Sequence, residues 1–139
     1  MAYTYDLNPT HGLVLLRNAS SKWTGRDVLQ SADDVIDDDR FAADYDWVYD
    51  LRFAHSVVIT VVELEQIVER FRLYRDDDLV AGESRSVIVG EDDDLKYAGR
   101  LYQQKAGLPD HRFAAVDTLE AARRWLGLEG TTASLDPVG

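Results

Sequence analysis

His55 and Ser56 stand side by side in the chain. A histidine beside a hydroxyl is half of a base–nucleophile pair. The other half is an acidic residue that orients the imidazole, and none stands close by in the sequence. His11 and His111 lie far from His55 in the sequence and are expected on different edges. These three histidines therefore read as solvated loop or edge residues, and the chain as a non-enzymatic one.

Acidic runs are the next residues with chemical potential. Asp37-Asp38-Asp39, Asp76-Asp77-Asp78 and Asp92-Asp93-Asp94 concentrate negative charge. A calcium loop spaces its ligands as D-x-D-x-D-G with a distal glutamate, and none of the runs does so. They read as solvated charge at helix ends, and no metal site is expected. Gly90 alone does not make a phosphate-binding loop, so no nucleotide cofactor is expected either. Arg70, Arg72 and Arg75 are followed at once by the acidic run at 76–78. With a formal net charge of −11, the chain has no general basic surface for nucleic acid or anionic lipid.

The elements that position these residues follow from periodicity. Residues 3–7 alternate, residues 8–12 (NPTHG) have turn composition, and residues 13–16 are apolar, which predicts an opening β-hairpin. Thr24 and Asp27 predict a capped helix start. Val28, Leu29, Ala32, Val35 and Ile36 make its apolar stripe, and the acidic run at 37–39 ends it. Trp47-Val48-Tyr49 with Leu51 reads as a buried central strand. Thr60 and Glu63 form an S/T-x-x-E capping box, with Ile59 and Leu64 in the hydrophobic-staple positions. That helix runs to about residue 75. A strand over 86–89, a helix from about 92 to 107, a strand over 112–116 and a helix from Asp117 through Leu126 complete the order ββαβαβαβα. Alternation of this kind implies a mostly parallel sheet with packed helices. Gly99 inside a helix suggests close packing against another backbone. One domain is expected over residues 1–127, with 128–139 as a flexible tail.

The stretches "VYDLR" (48–52), "RSVIVG" (85–90), "YAGRLYQ" (97–103) and "LEAARRWLG" (119–127) occur in an order that resembles the small stand-alone bacterial proteins of the STAS group. The resemblance covers roughly residues 3–127. It implies the SpoIIAA-like fold: an α/β superhelix with a short mixed, mostly parallel sheet, about four helices and an N-terminal hairpin. Better-known relatives are anti-sigma-factor antagonists, which bind a partner kinase and are switched by phosphorylation of a serine in a D-S-S/T-G motif. Here that region reads Val58-Ile59-Thr60-Val61-Val62, without the Asp-Ser pair or the glycine. The switch is not carried over.

An apolar junction remains, Ser56-Val57-Val58-Ile59-Thr60, where a polar loop is the ordinary choice. Val57, Val58, Val61 and Val62 have three readings: core under the hairpin, a homodimer or protein-partner surface, or the wall of an apolar pocket with Trp23, Trp47 or Phe53. The favoured expectation is an interaction surface on these four valines. The alternative is a carrier or sensor of a small apolar or amphipathic ligand, held at a rim of Trp23, His55, Ser56, Thr60 and Arg100. Arg100 equally suits an ion pair with a neighbouring helix. No apolar run is long enough for a membrane span. The N-terminus has no signal-like pattern and the chain has no cysteine, so a cytoplasmic location is expected.

Overall fold

The computed structural model describes residues 2–131 and 133–135. Its main sheet has five strands: β1 (Tyr3–Asn8), β2 (Leu13–Asn18), β4 (Asp46–Asp50), β6 (Ser86–Val89) and β7 (Phe113–Val116). Two three-residue strands, β3 (Lys22–Thr24) and β5 (Ser56–Val58), form a small separate sheet. The helices are α1 (Gly25–Ile36), α2 (Val61–Asp76), α3 (Asp93–Ala106) and α4 (Leu119–Trp125). The fold is α/β, with a mixed and mostly parallel sheet.

Strands of the main sheet lie side by side in chain order. β1 and β2 form the expected antiparallel hairpin, with Tyr3 opposite Asn18. All later pairings are parallel. Crossovers of one hand between successive neighbours put their helices on one face. α1 packs on α2 and α2 on α3 in that layer. Period-two alternation divides the strand residues between the faces. Val14, Leu16, Trp47 and Tyr49 join the core beneath the three helices. Leu13, Val48, Val87 and Val89 join a second core with Ala122 and Leu126 of the α4 region. The segment expected as a loose tail adds to this second face. Leu135 is buried there, and Arg123 donates hydrogen bonds to the Leu128 and Ala133 carbonyls. Residues 132 and 136–139 of that segment lie outside the described residues.

The helix starts obey local chemistry. Thr24–Asp27 and Thr60–Glu63 are complete capping boxes, each with reciprocal side-chain and backbone bonds. Asp92 caps α3 by accepting from Leu95 N, and Gly107 closes that helix in the left-handed region at φ 66°. The last helix is capped by Thr118 rather than Asp117. Asp117 is instead the partner of Lys96 on α3.

Two glycine positions differ in meaning. A Cβ on Gly25 would lie 2.6 Å from Glu63 Cβ, so glycine lets the N-termini of α1 and α2 approach. Gly99 is not under that constraint. A Cβ there would meet Ile88 Cδ1 at 3.5 Å and Ala115 and Phe113 side chains at 3.8 Å, ordinary contacts with side chains and none with backbone.

The β3–β5 pair is the main departure from the sequence reading. The register sets Lys22 against Ser56, Trp23 against Val57 and Thr24 against Val58. The junction at 56–60 is therefore a strand followed directly by a helix cap.

Candidate interaction surface

Parallel strands end where α1 and α2 begin, and the β3–β5 pair lies at that rim. Alternation along β5 sends neighbouring valines opposite ways. Val57 is 7% exposed and Val58 is 51% exposed. Val57 is thus core, a correction to its assignment as surface. The chain then passes through half-buried Ile59 and the Thr60 cap into the first turn of α2. Leu64 is the first residue of α2 to be buried, and Val61 and Val62 precede it at 59% and 64% exposed. Phe53, on the turn before β5, is 55% exposed. Together Phe53, Val58, Val61 and Val62 give the rim large apolar side chains in water.

The backbone beneath them is firmly held. Thr60 Oγ1 accepts from Glu63 N at 3.1 Å and donates to Glu63 Oε1 at 3.1 Å, while Thr60 N donates to the same carboxylate at 3.0 Å. The Thr60 hydroxyl is thus fully used as a cap. His55 N and Ser56 N both donate to the Ser21 carbonyl, at 2.7 and 3.0 Å, which ties the start of β5 to the loop before β3.

Phe53 is positioned by a charged cluster that sequence reasoning missed. Asp50, at the end of β4, is buried at 3% exposure. Its carboxylate accepts from Arg17 Nη2 at 3.3 Å, from Arg52 Nε and Nη2 at 2.9 and 3.0 Å, and from Arg52 N at 3.3 Å. Both guanidinium groups keep partial access to water. The Arg52 guanidinium carbon lies 5.4 Å from the centre of the Phe53 ring. Asp50 therefore fixes Arg52, and Arg52 sits over Phe53. The "DLR" triplet was visible in the sequence, but the partner on β2 was not.

The ligand rim expected from sequence does not assemble. Trp23 is buried in the core and packs edge-on against Tyr3, with ring centres 6.5 Å apart. The reason is its register with Val57, which turns both side chains inward. His55 and Ser56 are exposed, and Arg100 is exposed two turns down α3. Neither His11 nor His111 joins His55, since they flank β2 and β7 at the opposite strand ends. Among the described residues, no group of three or more His, Cys, Asp or Glu side chains is arranged to hold a metal ion.

An apolar groove runs under the helical layer instead. It lies between α2 and α3, with β4, β6 and β7 as its floor. Its cavity volume is about 60 Å³, and it is partly open to the outside. Trp23, Leu51 and Ile59 line one end, and Ser86, Tyr102 and Phe113 line the other.

No helix among the described residues is long and apolar enough to cross a membrane. No family model, curated protein or solved structure matches the chain.

Proposed function

We propose that this chain is a non-enzymatic, STAS-like binding module that works by protein–protein contact, with a second copy of itself as the first partner to test. The contact surface in this reading is Val58, Val61 and Val62, with Phe53 beside them. One observation carries it: three valines in one short stretch stand more than half exposed on backbone held by a complete capping box. Scattered apolar residues on a surface are ordinary, but a group of them at one rim marks a contact site. A rigid backbone also limits the entropy lost on binding.

The STAS-like part of the proposal rests on the four ordered motifs and on the chain-order sheet with its N-terminal hairpin. The relatives' phosphorylation switch is not part of it, because Thr60 is a helix cap without the Asp-Ser pair. A cytoplasmic location belongs to the same reading, and a chain without cysteine has no disulfide to lose there.

Sedimentation velocity and native mass spectrometry test the proposal. The wild-type chain is expected to dimerise at high micromolar concentration. Val58→Asp is expected to shift it to monomer with an unchanged circular dichroism spectrum, because a half-exposed valine contributes little to the fold. A wild-type monomer would reject self-association. A Val58→Asp variant that still dimerises would move the contact elsewhere.

A further inference from the structure

The apolar rim lies between two ends of opposite charge. On one side, β3 pairs with β5 and sets Lys22 against Ser56, two residues before Val58 on the same outward face. Neighbouring strands lie about 4.8 Å apart, so Lys22 stands beside that face. Arg26 follows in the first turn of α1. Both cations are exposed and have no ion-pair partner among the described residues, in a chain with 26 acidic and 15 basic side chains. The nearest carboxylate in sequence, Asp27, is occupied by the Thr24 N–H and hydroxyl at 2.9 and 3.0 Å.

On the other side, α3 starts against the turn that carries Phe53. A Cβ on Gly90 would lie 3.2 Å from the Leu51 carbonyl oxygen and 2.6 Å from Leu95 Cδ2, so the backbone entering α3 passes close by that turn. β5 also touches α3. Glu91, Asp93 and Asp94 follow Gly90, all three exposed and without an ion-pair partner among the described residues. The helix cap belongs to Asp92, and Lys96, one turn on, is held by Asp117. Across the rim the order is therefore cations, apolar side chains, carboxylates. Helix-end charge accounts for Asp93 and Asp94 taken by themselves. It does not account for Glu91, which precedes the cap, or for the unpaired cations across the rim.

We propose, on the reading of the exposed valines as a dimer contact, that the rim joins two copies about a two-fold axis, with Lys22 and Arg26 of each copy facing Glu91, Asp93 and Asp94 of the other across the apolar centre. A two-fold contact is self-complementary: each pairing across it is made twice. An axis lying in the contact plane, across the line from cations to carboxylates, sets opposite charges together at both ends. An axis along that line would set like against like, which is strongly unfavourable. Two chains of net charge −11 repel at a distance. Local pairing offsets that repulsion and fixes the orientation. A surface that carries both a charge pattern and its complement fits a second copy, whereas a purely acidic or basic partner would satisfy one end and be repelled by the other.

The test is charge reversal, read by native mass spectrometry and sedimentation equilibrium. Lys22→Glu with Arg26→Glu makes both ends of the rim acidic, and Glu91→Lys with Asp93→Lys makes both ends basic. Each double variant alone is expected to dimerise at least about tenfold more weakly than the wild-type chain. An equimolar mixture of the two is expected to form a heterodimer of near wild-type affinity, identified by its mass, because the reversed ends match again. Circular dichroism and thermal midpoints check that both variants are folded. Should Asp93→Lys unfold α3, Glu91→Lys alone, placed before the helix, is mixed with Lys22→Glu instead. Double variants that dimerise as the wild type does, or a mixture that stays monomeric, would overturn the arrangement. If Val58→Asp abolishes the dimer while the reversals leave it intact, the apolar contact stands and the charge pairing is rejected. A monomeric wild-type chain rejects both.

Discussion

Asp50 shows how one side chain can control a surface it does not itself present. It is buried, it takes up both Arg17 and Arg52, and through Arg52 it fixes the turn that carries Phe53. Asp50→Asn keeps the shape and removes the charge. Two partly buried guanidinium groups then face a neutral amide. A loss of about 2 kcal/mol is expected, the range for hydrogen bonds to charged groups, measured by urea denaturation. Phe53 should gain mobility in the same variant, visible as narrowed ring resonances. This residue scale was the least legible in the sequence. Valines 57 and 58 are chemically identical, and only the strand phase separates core from surface. Trp23 looked like a rim residue because its partner, Val57, lies far along the chain. Tyr49 read correctly as part of a buried strand.

Elements were far more legible, because capping and periodicity are local. Both capping boxes hold, and the four helices and five sheet strands stand where apolar spacing predicted them. Thr60→Ala tests how much α2 depends on its cap. A loss of about 1 kcal/mol is expected from chemical denaturation, with faster amide exchange confined to the first turn. Since Val61 and Val62 occupy that turn, the same change should weaken any dimer. The two short strands escaped notice for a physical reason. Three residues carry too little alternation to signal a strand, and pairing between the 22–24 and 56–58 segments depends on the whole fold being in place. The groove has the same origin. It is set by the distance between two helices, and helix spacing is a property of packing.

At the scale of the molecule, tyrosines link the fold to pH. Tyr3, Tyr5, Tyr49, Tyr74 and Tyr102 all have their ionisation pushed upward, first by burial. Hydrogen bonds to Asp34, Asp38 and Asp33 add to this at Tyr3, Tyr5 and Tyr74. In the unfolded chain these phenols ionise near pH 10, whereas the fold keeps them protonated beyond it. Above that pH the unfolded state binds fewer protons than the native one, so stability falls as pH rises. Each tyrosine held protonated contributes a slope of about 1.4 kcal/mol per pH unit. Denaturation midpoints measured from pH 8 to 11 should stay level to about pH 10 and then drop steeply. A level profile through pH 11 would mean that these phenols ionise freely in the folded chain. The two faces of the sheet differ in another respect, which concerns the order of synthesis. A strand order that follows the chain lets each new strand dock on the one before it, and each crossover helix covers the first face as it is made. The second face has no such running cover. Leu13, Val48 and Val87 must wait for Ala122, Leu126 and Leu135. While the chain is still leaving the ribosome, one side of the growing sheet is closed and the other is a bare apolar plane, open to chaperones until residues 122–135 arrive.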